Sequence, residues 1–282
     1  MKKEIMKKEI IKREIIKRVV IIYNKEKKLA QTIYCDSLKY FLDKNIEVIP
    51  ISEIATANFV VVIGGDGTLL RGFREIIGNE NLFVIAINAG NLGFLTEIKH
   101  EKMFEIYDDF ISENFKWEER HILEIDCNGK KHYALNEVLI SKEYAISKII
   151  RTKFSSDGEY MCVYKGDGVI VSTPAGSTAY SMSAGGPIVK SNTKVIIITP
   201  FAPHNLNTRP IVIHGDEKID IEIIDENRKG IILIDGQISE TINNSEIIKI
   251  KYYEKTLKMI IPRDRNYYSI LREKLKWGDN LC

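Results

Sequence analysis

The stretch FVVVIGGDGTLLR, residues 59–71, constrains the fold more than any other part of the sequence. A strand-sized apolar run, Phe59–Ile63, leads directly into Gly64-Gly65-Asp66-Gly67, and Thr68 stands where a helix begins. The residues around it extend the pattern. Val19–Tyr23 is a β-branched strand, and residues 26–44 place Leu29, Ile33, Leu38, Phe41 and Leu42 at helical spacing. Ile46–Ile49 is a second strand, Thr68 to about Ile77 a helix, and Leu82–Ile87 a further strand. Strands alternating with helices give a parallel sheet covered on both faces.

After about residue 120 the texture changes. Short β-rich segments follow one another: Leu123–Cys127, Tyr133–Ile140, Lys148–Ser155, Tyr160–Tyr164, Gly168–Ser172, Val195–Thr199, Ile211–Ile213, Ile219–Ile224, Gly230–Ile234 and Ile247–Tyr253. No long helical pattern separates them, so a sandwich or barrel-like all-β unit is expected. The fold class expected is therefore two domains, a Rossmann-like parallel α/β domain and a β-sandwich-type domain. The expected division is a charged extension over 1–18, an α/β domain over 19–118 and a β-rich domain over 119–264. A helix within 265–282 packs back on the first domain.

The extension reads MKKEIMKKEIIKREIIKR and carries a net charge of +5 against +2 for the whole chain. Its five-residue period spreads the Ile residues around a helix and gives no buried face. The remaining chain is close to neutral, which argues against a nucleic-acid binder. Apolar runs are far too short to span a bilayer. Cys35, Cys127, Cys162 and Cys282 show no CxxC spacing, so neither a disulfide framework nor a zinc site is expected. A soluble cytoplasmic protein with no membrane or nucleic-acid partner is the expectation.

Chemistry concentrates in three loops. In Gly64–Thr68 the glycines leave backbone N–H groups unobstructed at a helix N-terminus, a good phosphate site. Asp66 is the unusual member, because a carboxylate facing polyphosphate needs a metal ion or a proton to take, as a phosphotransferase provides. A plain hairpin turn at Asp66-Gly67 is the alternative, and the strand–loop–helix context weighs against it. The spacing of a Walker loop is missing. The second loop, INAGNLGFL at 87–95, also follows a strand, so it should face the first. The third, residues 166–188, is rich in small and hydroxyl side chains. There Ser177, Thr178, Tyr180 and Ser183 can hydrogen-bond base edges and ribose hydroxyls. His204 reads as a surface residue, and His100, His121, His132 and His214 lack metal-ligand spacing.

GGDGT at 64–68, NAGNLGFL at 88–95, NE at 136–137, the segment 166–188, TPFAPHNLNTRPIV at 199–212 and Asp235-Gly236-Gln237, in that order, resemble the NAD kinase family of the bacterial and archaeal type. The resemblance implies phosphorylation of the 2′-hydroxyl of the adenosine ribose of NAD. The implied donor is ATP or inorganic polyphosphate. A divalent metal, Mg2+, is carried by the nucleotide near Asp66 without direct protein ligands, and a homodimer or homotetramer is implied. Asp66 is then the base, with Gly64, Gly65, Gly67 and Thr68 in the phosphate loop and Arg71 meeting phosphate charge. Asn88 and Phe94 belong to the second loop, Phe94 as an apolar wall. Asn136 and Glu137 hold the adenosine portion, Asp167 sits towards the nicotinamide ribose, and Thr178, Ala179, Tyr180, Ser181 and Ser183 line the adenine and ribose pocket beside Ser177. Lys165 and Gln237 match further substrate-side positions. Glu137 stands where Asp is frequent and Ala175 where Thr is frequent. Two alternatives remain at this point: a lipid kinase of the diacylglycerol or sphingosine type, which shares GGDGT, and a non-catalytic NAD(P) sensor.

Overall fold

The computed structural model describes residues 16–79, 81–143, 148–205, 207–226, 228–276 and 278. Residues 1–15 of the charged extension and Cys282 lie outside the described residues. In the first sheet, strands β1 (Arg18–Tyr23), β2 (Glu47–Ile49), β3 (Phe59–Gly64) and β4 (Phe83–Asn88) run parallel in the order β2-β1-β3-β4. The two-residue β5 (Ile98–Lys99) adds to the end of β4. Beyond β4 the sheet continues with β18 (Leu257–Ile261), parallel to β4, and then β6 (Lys116–Arg120), antiparallel to β18.

The apolar run that opens the sequence argument is buried on both sides, with Val60, Val61, Val62 and Ile63 all fully inaccessible. Phe59, Val61 and Ile63 pack with α1 (Lys28–Asp43) and α3 (Met103–Ile111) through Ile33, Phe41, Tyr107 and Phe110. Val60 and Val62 point the other way, to Leu69, Phe73 and Ile76 of α2 (Asp66–Ile76). Leu135 and Ala175, from the part of the chain that builds the second domain, join that same cluster. The second domain thus docks on the α2 face.

The second sheet is antiparallel. Its strands are β7 (Leu123–Cys127), β8 (Lys130–Ala134), β9 (Glu137–Lys142), β10 (Ile150–Ser156), β11 (Glu159–Ser172), β12 (Val195–Pro203), β13 (Ile211–His214), β14 (Ile219–Ile223), β15 (Lys229–Ile234), β16 (Ile238–Asn243) and β17 (Ile247–Tyr252). They run in the order β16-β15-β9-β11-β10-β14-β17-β7-β8, with β12 and β13 branching from β11. The sheet curls until its ends meet. Glu240 of β16 bridges to Lys130 of β8 and, at 3.1 Å, to His132. One curled sheet therefore supplies the sandwich-like enclosure, around Val138, Ile140, Phe154, Val171, Ile221 and Ile248. Two short helices complete the chain, the one-turn α4 (Tyr180–Ser183) and α5 (Tyr267–Leu275).

Local differences from the sequence reading have physical causes. Helix α2 begins at Asp66, two residues before Thr68. The segment expected as one strand over Tyr133–Ile140 breaks at 135–136, where the Asp235 carboxylate captures the N–H groups of Leu135 and Asn136 at 2.9 and 2.8 Å. Conversely, Tyr160–Tyr164 and Gly168–Ser172 are parts of one strand, β11. Its glycines do not interrupt it but let neighbouring strands close in. A Cβ on Gly168 would lie 2.2 Å from the Ile140 carbonyl oxygen, and one on Gly166 would lie 2.7 Å from that of Ala202. Strands β6, β16 and β18 and helix α3 have no counterpart in the sequence reading.

Gly168→Ala is accordingly expected to lower the unfolding free energy by about 1–3 kcal/mol or more, an overpacking cost, in urea titration. Gly65→Ala, whose Cβ meets nothing within 4 Å, is expected to change it by less than about 0.5 kcal/mol. Equal effects of the two would contradict this assignment.

Candidate active site

The C-terminal ends of β1, β3 and β4 lie side by side, where ligands bind in open α/β sheets. The Asn24 N–H donates to the Ile63 carbonyl and the Ala89 N–H to that of Gly64, which ties the three strand ends together. None of Gly64, Gly65 or Gly67 has a positive φ. Gly64 is needed for space, since a Cβ there would collide with Thr68. At Gly65 and Gly67 a Cβ would meet only open space, so bare backbone there faces the cleft.

Asp66 is the first residue of α2, and its carboxylate turns towards the second loop. Oδ2 accepts the Phe94 N–H at 2.9 Å. Oδ1 accepts the N–H groups of Leu95 (3.2 Å) and Thr96 (2.9 Å) and the Thr96 hydroxyl (2.9 Å). A carboxylate has about four lone-pair positions, so the uncommitted one is on Oδ2. Gly93 makes the contact possible, because a Cβ there would sit 1.9 Å from Asp66 Oδ1. Asn88 is buried and braces the same loop, donating to the Asn91 carbonyl (2.8 Å) and the Thr96 hydroxyl (3.0 Å). Its role here is to shape the loop.

Beside Asp66 opens a cleft of about 550 Å³ lined by Asn24, Lys27, Gly65, Gly67, Thr68, Arg71, Arg74 and Gln237. Three cations, a helix N-terminus and bare backbone make it a polyanion site. Asn24, Lys27 and Arg74 escaped the sequence reading. Arg74 stands two turns after Asp66 on α2, a helical spacing that could have marked it. Its Nη2 is buried with no hydrogen-bond partner.

On the other wall Asp235, at φ 48°, gathers the N–H groups of Leu135, Asn136 and Glu137. This draws Asn136, Glu137 and Gln237 together, and each keeps one buried oxygen unpartnered: Asn136 Oδ1, Glu137 Oε2 and Gln237 Oε1. Gln237 Nε2 also donates to the Gly67 carbonyl at 3.4 Å, joining the two walls. Burial and then the Asp235 charge push the Glu137 carboxyl up to about 8, against the Tyr180 N–H, which pulls it down. Burial raises Asp235 too, but its three N–H donors favour its charged form, so the proton of the pair resides on Glu137.

The third loop divides. Ser177 donates to the Pro174 carbonyl (2.6 Å) and Ser181 meets the Thr199 hydroxyl (2.9 Å), both fully buried, so these hydroxyls fold the loop. Gly176 is pressed against Asn136, with a would-be Cβ 2.1 Å from its carbonyl oxygen. Thr178 and Phe94 line a small recess with Pro174, Ala175, Val189, Tyr267 and Ile270, to which Glu97 and Ser191 add polar edges. Ala179 is half-buried, Ser183 is exposed, and Tyr180 packs on Phe201 at 5.5 Å. Lys165 and Asp167 are not brought to this cluster within one chain. Glu137 pairs with Ser172, and Asp167 lies five residues back along β11, roughly 16 Å away. There Asp167 pairs with Lys142 at 2.8 Å, and Lys165 is exposed.

The ATP-NAD kinase N-terminal domain family matches residues 8–115, and the ATP-NAD kinase C-terminal domain family matches residues 135–261. An NAD kinase of Fusobacterium nucleatum is 46% identical over 263 residues, covering 93% of this chain and 98% of that protein. One from Bacteroides fragilis is 35% identical, covering 90% of each. A yeast NADH kinase solved with NADH superposes with a TM-score of 0.88 at 21% identity, covering 96% of this chain and 90% of its own, a likeness of fold. An NAD kinase from Archaeoglobus fulgidus solved with ATP gives 0.76 at 25% identity, covering 91% and 99%.

The buried carboxyl pair has a stability consequence. In the unfolded chain Glu137 ionises near 4.5 and in the folded chain at about 8, so folding loses stability as pH rises through that interval. Relative to Glu137→Gln, the wild type is expected to lose about 2–4 kcal/mol between those limits in urea titrations, at ~1.4 kcal/mol per pKa unit. Parallel stability curves for the two proteins would contradict the assignment.

Proposed function

The chain belongs to the NAD kinase family and is an enzyme that phosphorylates NAD, and from that premise we propose how its own residues carry the reaction. The observation that carries the reading is the Asp66 carboxylate, held by four donors with one lone pair left on Oδ2 beside a cationic cleft. That lone pair accepts the proton of the 2′-hydroxyl of the adenosine ribose as its oxygen attacks the terminal phosphoryl group of the donor, whose bridging P–O bond breaks to release ADP or the shortened polyphosphate. A ribose hydroxyl is a weak nucleophile at neutral pH, and a positioned base supplies typically ~10²–10⁴-fold. Lys27, Arg71, Arg74 and the N–H groups of Gly65 and Gly67 hold the donor phosphates and offset the charge of transfer. The orphaned oxygens of Asn136, Glu137 and Gln237 orient the substrate's ribose hydroxyls, and a neutral Glu137 can donate as well as accept. Phe94 is proposed as an apolar wall for the flat adenine.

ATP is the donor proposed, in keeping with the nucleotide in the archaeal relative. The cleft lining contains no aromatic side chain to stack a base. It recognises phosphate charge, which also suits inorganic polyphosphate. The implied Mg2+ would fit this arrangement, since it would be carried chiefly by the phosphate oxygens of the donor and would need no carboxylate from the cleft lining. When bound, it neutralises charge on the transferred phosphoryl group. No group of three or more potential metal-ligating side chains occurs among the described residues, and a nucleotide-borne ion requires none. We further propose a cytoplasmic homo-oligomer. The unpaired edge of β13, with Ile211 and Val212 exposed, and the remoteness of Lys165 and Asp167 from the rest of the site support a second copy. Among the described residues no helix is long and apolar enough to cross a membrane. The lipid-kinase alternative accounts for the first loop alone, whereas the family likeness spans both domains.

Asp66→Asn is expected to lower kcat for NADP formation at least tenfold while NAD affinity changes little, measured by coupled assay and calorimetry. An Asn keeps an oxygen for the Leu95 and Thr96 donors and loses only the acceptor for the Phe94 N–H. Retention of more than about a tenth of the wild-type kcat would overturn the base assignment. Arg74→Met is expected to raise KM for ATP about tenfold or more and leave KM for NAD within a factor of about two, since it removes one charged hydrogen-bond partner of phosphate. The reverse pattern would move Arg74 to the other substrate.

A further inference from the structure

Next to the loop that holds Asp66 lies a circuit of four charged side chains that the proposed chemistry does not use. Arg265 donates through Nη2 to Glu97 Oε1 (2.8 Å), through Nε to Glu97 Oε2 and through Nη1 to Glu118 Oε1 (2.6 Å). Arg120 closes the circuit, with Nη1 on Glu118 Oε2 (2.8 Å) and Nη2 on Glu97 Oε1 (3.4 Å). Arg120 is 2% exposed, Glu97 6%, Arg265 7% and Glu118 16%. Two of the four belong to β6, Glu97 follows the second loop, and Arg265 precedes α5.

Stability is a poor reason for such a group. Desolvating each ion costs several kcal/mol, and apolar residues of equal volume often serve as well or better. What the circuit fixes is position. Glu97 is bonded through both oxygens, and the forked guanidinium of Arg265 sets its orientation as well as its place. The preceding residue is Thr96, whose N–H and hydroxyl supply two of the four bonds to Asp66, and the Leu95 and Phe94 N–H groups supply the others. The Arg265 guanidinium also lies 5.8 Å from the Tyr267 ring, which shares the small recess with Phe94.

We propose that Arg265 is a positioning residue for phosphoryl transfer: acting through Glu97, it fixes the 94–96 loop and thereby Asp66, so the C-terminal segment is a working part of the active site. The proposal rests on the role of Asp66 given above. None of the four residues of the circuit lines the cationic cleft.

The test compares the full-length wild type with Arg265→Lys and Arg265→Met, measuring steady-state kinetics and amide hydrogen exchange. Lysine keeps the charge and loses the fork. Arg265→Lys is expected to lower kcat about tenfold and Arg265→Met about 10²-fold, the scale of a 1 Å misplacement, with KM for ATP within a factor of about two. Exchange at Phe94, Leu95 and Thr96 is expected to quicken at least about tenfold in both, with the β3 amides unchanged, as for local rather than global opening. If Arg265→Met does not fold, Arg265→Lys decides. A kcat within about twofold of wild type for Arg265→Lys, unchanged exchange at 94–96, or a KM for ATP rising as kcat falls would each overturn the proposal. If instead the wild type forms no NADP or Asp66→Asn keeps its rate, the reading of Asp66 fails, while exchange still judges the clamp.

Discussion

The site depends on one carboxylate gathering the N–H groups of a loop, and the chain uses the device twice. Asp66 binds Phe94, Leu95 and Thr96, and Asp235 binds Leu135, Asn136 and Glu137. Each aspartate follows the end of a strand, Asp66 at the start of α2 and Asp235 at a turn, and satisfies donors that no sheet ladder could reach. The first staple draws the second loop against the start of α2. The second breaks the strand expected over Tyr133–Ile140 and gathers Asn136 and Glu137 beside the turn from which Gln237 reaches the Gly67 carbonyl. Between them stand the cationic cleft on one side and three unpartnered oxygens on the other. Glycines at 64, 93 and 176 are the spatial condition for both, since a Cβ at any of them would overlap a neighbour.

The first domain was legible because a strand buried on both faces reads as an uninterrupted apolar run, and Phe59–Ile63 is such a run. The antiparallel half was legible as a class but not in register. Gly166 read as the start of the third loop and Gly168 as the start of a separate strand, whereas in the continuous β11 they are sites of close strand approach that only the three-dimensional neighbours reveal. Strands β6 and β18 carry charges or are short, and they pair across more than a hundred residues, a contact with no local signature. Helix α3 did carry one, with Met103, Ile106, Tyr107 and Phe110 at helical spacing. Within the site, the loops at 64–68 and 88–95 were legible from their residue types, whereas 135–137 fell inside an expected strand, and Asn136 and Glu137 entered only through the family resemblance. Lys27 and Arg74 were not, because a cation on a helix reads first as a solvated face. Ser177 and Ser181 looked like ligand-facing hydroxyls, but they are spent on backbone and side-chain partners inside the loop.

Charge is spent differently in the three parts of the site. In the cleft, Lys27, Arg71 and Arg74 concentrate positive charge. Around Asp235, burial forces a proton onto Glu137 and converts an acceptor into a group able to donate. In the circuit of Glu97, Glu118, Arg120 and Arg265 the charges cancel, and the result is orientation of the loop that carries the donors to Asp66.

The most direct test of the account is a crystal structure with NAD bound. It predicts the 2′-oxygen of the adenosine ribose about 2.6–3.2 Å from Asp66 Oδ2, with the bonds from Phe94, Leu95 and Thr96 to the carboxylate retained. A ribose hydroxyl well beyond hydrogen-bond reach of Asp66, facing another base instead, would contradict it.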